Sequence, residues 1–213
     1  MEKSFWLDKW QRNEIGFHNS EAHPLLIEHY DQLGLAPGDR LFLPLCGKTL
    51  DIAWLLDKGF SVAGAELSEM AVIQLFEQLS IVPRVEVSGA LKLYSAKGID
   101  IFVGDVFELT AEALGPVNAI YDRAALVALP ETTRQQYARH LVALTGSASQ
   151  LLITFEYDQQ RMPGPPFCVS DQEVAQLYTS DYALHLLQTV DVPGGLKGKC
   201  PAQEKVWLLA RKQ

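Results

Sequence analysis

"LFLPLCGKTLDIAWLLDKGFSVAGAEL", residues 41–67, decides how the rest of the chain is read. An apolar run stops near Pro44, and Gly47-Lys48-Thr49 follow. "TLDIAWLLDKG" then takes up helical apolar spacing and ends on Gly59. "SVAGAEL" is a second apolar strand that closes on Glu66. A loop between a buried strand and a helix, with a carboxylate ending the next strand, reads as a ligand-holding edge.

Three ligands compete for that loop. A nucleoside triphosphate would need G-x-x-x-x-G-K-[ST], and the first glycine falls on Phe42, too bulky for a phosphate wrap. A dinucleotide would need G-x-G-x-x-G, and only Gly47 is present. The third candidate is S-adenosylmethionine (SAM), which has no phosphate. One glycine, Gly47, suffices for a tight turn beside its amino-acid tail. Glu66, 19 residues further on, stands where a ribose would offer two hydroxyls. Asp105, ending "IDIFVGD", has two compatible readings: a contact to the adenine edge, with Val106 and Phe107 as apolar wall, or the N-cap of the next helical turn. Asp51, in the first turn after the loop, reads first as a dipole-compensating acid, with a contact to the SAM ammonium as the alternative.

Outward from this unit the alternation continues. Residues 5–14 and 22–33 read as two N-terminal helices, the first with Phe5, Trp6 and Trp10 on one face. "SEMAVIQLFEQL" is a helix with Ser68 as N-cap, and "PETTRQQYARHLVALTG" holds another, with Pro130 before it and Gly146 after it. "IDIFVGD", "PVNAIYDR" and "SQLLITFEY" are further apolar strands. "VEVSGALKLYSAKG" (85–98) reads either as two short strands or as a loop. "YALHLLQTVDVP" and "EKVWLLARKQ" are strand-like, joined by the Gly-rich "GGLKGKCPAQ". Helices between apolar strands predict parallel pairing, and the strand-only finish predicts an antiparallel hairpin. The expected fold is α/β: a doubly wound, mostly parallel, seven-stranded Rossmann-like sheet with an antiparallel C-terminal hairpin, the class I SAM methyltransferase form. One domain is expected, with residues 1–34 as an N-terminal helical part and 35–213 as the core.

Composition narrows the partners. The 213 residues carry 18 Lys and Arg against 26 Asp and Glu, a net charge of −8, with no basic cluster. Nucleic acid and anionic membrane surfaces are therefore not expected partners. The N-terminal "MEKSFWLDKWQRNE" has no apolar leader core, and no run approaches the roughly 20 apolar residues of a membrane span. Cys46, Cys168 and Cys200 are odd in number and widely spaced, which suits a reducing cytoplasm, and no metal site is expected.

Several stretches together resemble one family. "FWLDKWQRNEIGFH", "LPLCGKTLDIAWLLDKGFSVAGAELS", "GDVFEL", "YDRAALVALP" and "PGPPFCV" are similar to thiopurine S-methyltransferases of the bacterial form, from about residue 5 to the C-terminus. The resemblance implies SAM as cofactor, S-adenosylhomocysteine as product, and a small aromatic or heterocyclic thiol as acceptor. It implies that Trp10, Leu45, Glu66 and Arg123 meet the cofactor, with Arg123 also on the acceptor side as the candidate thiolate stabiliser. Phe17 is implied to line the acceptor pocket, and Pro165 and Pro166 to belong to its lid. Taken alone, Trp10 and Phe17 read as packing, and Arg123 reads as a surface residue or, beside buried strand ends, as a site residue; "RMPGPPF" is a loop stiffened by proline, structural only or, from its place after the fifth strand, a lid. A monomer is expected. A nicotinamide oxidoreductase and a non-catalytic SAM-binding protein are the competing classes.

Overall fold

A computed structural model describes residues 3–16 and 18–212; Phe17 lies outside the described residues. The chain divides into two compact units, one up to Ala119 and one from Ile120 onward. The expected architecture, helices flanking a central and mostly parallel sheet, is what the chain adopts. Among the described residues the sheet has nine strands where seven were expected.

The first unit opens with α1 (Lys3–Gln11) and α2 (Pro24–His29). Then come β1 (Arg40–Pro44), α3 (Asp51–Asp57), β2 (Ser61–Glu66) and α4 (Glu69–Gln78). After β3 (Arg84–Ser88), β4 (Leu91–Ala96) and β5 (Ile99–Val103) comes the short α5 (Ala111–Leu114). The strand order is β3-β4-β5-β2-β1. β1 and β5 both run parallel to β2, from Arg40↔Ser61 to Pro44↔Ala65 and from Val62↔Ile99 to Glu66↔Val103. Leu41, Phe42, Val62, Ala63, Ile101 and Phe102 are buried, as parallel strands covered on both faces require.

The two additional strands are β3 and β4, which form an antiparallel meander with β5. Two-residue turns at Gly89-Ala90 and Lys97-Gly98 separate them. The ambiguity of this stretch has a physical cause. β3 is an edge strand whose Val85 and Val87 are exposed, so its alternation marks no buried face.

The second unit holds β6 (Ala119–Arg123, entering from the division), α6 (Glu131–Thr145), β7 (Ser149–Tyr157), α7 (Asp171–Tyr178), β8 (Tyr182–Asp191) and β9 (Ala202–Arg211). Its strand order is β6-β7-β9-β8. β9 is antiparallel to both β7 and β8, so the C-terminal hairpin takes the expected form. Sequence reasoning passed over α7, although "SDQE" carries a capping signal. The Ser170 hydroxyl accepts from the Glu173 N–H at 3.2 Å.

One small residue fixes how the β1 loop meets the sheet. A Cβ on Gly64, in β2, would stand 2.7 Å from Ile101 Cδ1 and 2.8 Å from Cys46 Sγ. The missing side chain is the space into which Cys46 folds. Gly64→Ala is expected to lower unfolding stability by about 1–3 kcal/mol through overpacking, read by urea titration. Wild-type stability in this variant would show that the loop does not depend on that gap.

Candidate functional site

The edge formed by the C-terminal ends of β1, β2 and β5 gathers most of the residues singled out in the sequence. Glu66, the last residue of β2, is 6% exposed. One carboxylate oxygen accepts from the Gly47 N–H at 2.8 Å, and the other accepts from the Ser68 N–H at 2.8 Å. Burial pushes the Glu66 carboxyl above its ordinary range, and the backbone donors of Ser68, Gly47 and Leu67 pull against that shift. A carboxylate offers about four lone-pair directions. The Gly47 and Ser68 bonds take one on each oxygen, and Leu67 adds a third backbone donor, so the carboxylate keeps some acceptor capacity of its own.

The loop after β1 is bent into a tight turn. Leu45 sits at φ 48° and Gly47 at φ 54°, so the half-buried Leu45 holds a left-handed conformation rare for a leucine. Glycine is needed at 47 for a second reason: a Cβ there would lie 2.9 Å from Cζ2 of Trp10. Trp10 is 6% exposed and belongs to α1. At the other end of α1, Lys3 Nζ pairs with Asp105 at 2.7 Å. These residues are seven positions apart, about 10 Å along a helix. Two strand spacings, from β5 across β2 to β1, also make about 10 Å. α1 is therefore a strap from the β5 turn to the β1 loop.

Asp105 realises its N-cap reading. One oxygen accepts from the Phe107 N–H at 3.1 Å, and the other meets Lys3. Val106 is buried at the start of that turn. Asp51 is 1% exposed, and one of its oxygens accepts from the His23 N–H at 2.7 Å, which ties α3 to α2. Cys46 is buried beside Glu66. Burial first, and the Glu66 charge second, push its thiol well above the ordinary 9.0.

Arg123, Pro165 and Pro166 belong to the second unit. Arg123 is half-buried at the end of β6, followed by Ala124 at φ 60°. Before it stands Asp122, which sequence reasoning missed. It is fully buried and accepts from the Leu126 N–H at 3.0 Å and from the Tyr137 hydroxyl at 2.8 Å. Its signal, an acid inside an apolar strand, was masked by the Arg next to it. Pro165 and Pro166 are half-buried in the loop between β7 and α7. That loop is joined to the segment after β6 by Phe167 N–H donating to Val127 carbonyl at 2.6 Å. The Arg134 guanidinium lies 5.9 Å from the Phe167 ring centre and grips Glu173 at 2.6 and 2.9 Å.

This arrangement, a carboxylate ending β2 beside a single-glycine turn after β1, sits in the fold of the SAM-dependent methyltransferases. A SAM-dependent methyltransferase structure from Anabaena variabilis matches with a TM-score of 0.64 at 14% identity, covering 98% of this chain and 95% of that one. The family model for thiopurine S-methyltransferase matches residues 1–212. A thiopurine S-methyltransferase of Xanthobacter autotrophicus is 56% identical, over 99% of this chain and 100% of that protein. One of Teredinibacter turnerae is 52% identical, over 99% and 98%. The chain belongs to the thiopurine S-methyltransferase family. It is a SAM-dependent enzyme, and S-adenosylhomocysteine is the spent form of its cofactor.

Asp122 makes stability depend on pH. Burial pushes its carboxyl up to about 6 from 3.8. The folded chain therefore holds this proton more tightly than the unfolded chain does. The associated stability is full below 3.8 and is lost as pH rises through about 6. In Asp122→Asn that dependence vanishes. Between about pH 4.5 and 7.5 the wild type should lose about 2 kcal/mol relative to the variant in urea titrations. A constant difference across that range would contradict the assignment.

Proposed function

We propose that this chain transfers a methyl group from SAM to the sulfur of a small aromatic or heterocyclic thiol, thiopurines included. The observation that carries the cofactor half of this reading is Glu66. Each of its oxygens is held by the backbone of a flanking loop, and the carboxylate keeps acceptor capacity beyond those bonds. The hydroxyls of a ribose suit an acceptor held in this way. Trp10, Leu45 and Gly47 would hold the rest of the cofactor, with Asp105 and Val106 beside the adenine. Residues 1–34 would act as a cap on this site and 35–213 as the core of one methyltransferase domain.

Bound there, SAM supplies a methyl group already activated by its positive sulfur. The task left to the chain is alignment and the exclusion of water. A heteroaromatic thiol ionises readily because its ring delocalises the charge, so no strong general base is needed. Arg123 supplies the positive charge that holds the thiolate. The family resemblance assigns Phe17 to the acceptor pocket and Pro165 and Pro166 to its lid. Other polarisable nucleophiles, selenium or tellurium species among them, suit the same pocket and the same charge. A detoxifying role as a monomer in the cytoplasm fits the acidic chain, its three free cysteines and, among the described residues, the lack of any helix long and apolar enough to cross a membrane.

Isothermal titration with S-adenosylhomocysteine tests the cofactor assignment. Tight binding by the wild type should weaken by about tenfold or more in Glu66→Ala. Equal affinity in the two proteins would remove Glu66 from the site. For the acceptor, Arg123→Ala should raise KM for a heterocyclic thiol and lower kcat, and Arg123→Lys should recover part of the loss. Unchanged acceptor kinetics in both variants would exclude the thiolate role.

A further inference from the structure

We propose that Gln159 and Tyr157 are positioning residues for the acceptor: together they clasp the Pro165–Pro166 loop in one pose. The inference rests on the reading of that loop as a wall of the acceptor site. The problem they solve begins in the sequence. Pro163, Pro165 and Pro166 have no N–H, so "MPGPPF" offers few donors for its own carbonyls. Those carbonyls must be caught from outside or left to water.

The structure catches them with side chains. Tyr157, the last residue of β7, is 8% exposed, and its hydroxyl donates to the Pro166 carbonyl at 2.6 Å. Gln159, two residues on, uses its whole amide. Its Oε1 accepts from the Cys168 N–H at 2.8 Å. Its Nε2 donates to the Met162 carbonyl at 2.8 Å and to the Tyr157 hydroxyl oxygen at 3.1 Å. One amide thus closes the loop at both ends, and the tyrosine it touches holds the middle. Each partner of the amide is matched to its donor or acceptor side, so no other neutral side chain of that length serves all three. A further bond, from Lys197 Nζ to the Pro165 carbonyl at 2.6 Å, comes from an exposed side chain and constrains the loop less.

Two variants of the full chain test this. Tyr157→Phe keeps the ring in its packed position and removes the bond to Pro166. Gln159→Met keeps length and removes all three amide bonds. Two readouts are taken. Tryptic cleavage after the exposed Arg161 reports loop opening without any ligand. Steady-state kinetics with a heterocyclic thiol at saturating SAM report the acceptor. Both variants should be cut faster than wild type. Acceptor KM should rise about five- to twentyfold, kcat should stay within about twofold, and S-adenosylhomocysteine affinity should not change. Gln159→Met should exceed Tyr157→Phe in both readouts. Wild-type cleavage rates in both variants would overturn the clasp. Faster cleavage with unchanged KM would overturn the positioning role while leaving the methyltransferase reading intact. A wild type that binds S-adenosylhomocysteine yet turns over no thiol would overturn the acceptor reading and the positioning role with it, whatever the cleavage rates.

Discussion

The first unit depends on one carboxylate placed where a strand stops. Glu66 ends β2 and takes one backbone N–H from the loop after β1 and one from the turn before α4. The peptide groups around it finish the seam: Cys46 N–H donates to the Ala65 carbonyl and Gly104 N–H to the Glu66 carbonyl. Three loops, after β1, β2 and β5, are thereby joined at one edge by main-chain atoms and a single side chain. Burying a carboxylate is costly, and its raised proton affinity reflects that cost. The oriented N–H groups offset it and leave a fixed, partly satisfied acceptor in a dry place, a good starting geometry for recognising hydroxyls.

The second unit solves a different problem. Its loop between β7 and α7 is poor in donors and rich in fixed φ angles, so stiffness comes from the prolines and placement comes from elsewhere. Arg134 is 4% exposed and braces three pieces at once: Glu173 on α7, the Leu129 carbonyl after β6, and the Phe167 ring. A buried ion pair of this kind is weak evidence for added stability. What it does is geometric: it fixes the loop after β6, which follows Arg123, relative to the proline loop in the same unit.

Much of this was legible in the sequence, and the misses are instructive. The βαβ core could be read because parallel strands are apolar on both faces and their helices are not. Glu66 and Gly47 could be read because a strand end and a turn have sequence signatures, and Ser68 because an N-cap has one. β3 was ambiguous because an edge strand with exposed valines obeys no burial pattern. α7 was overlooked beside a proline loop despite its cap. The contact of Trp10 with Gly47 and the clasp by Gln159 could not be read at all. Both join residues whose meeting depends on tertiary placement, and neither a tryptophan on a short helix nor a glutamine after a strand carries any local mark of its partner.

Cys46 carries a consequence for an enzyme that handles a methyl sulfonium. A cysteine one residue from Gly47 and buried against the end of β2 is a nucleophile of the chain's own, next to the turn proposed to hold the cofactor. Methylation of that sulfur would be irreversible under ordinary conditions and would wedge an extra carbon into the gap above Gly64. Burial and the neighbouring negative charge both keep the sulfur protonated. The carboxylate that organises the edge therefore has a second effect: it raises the cost of ionising the one cysteine folded into that edge.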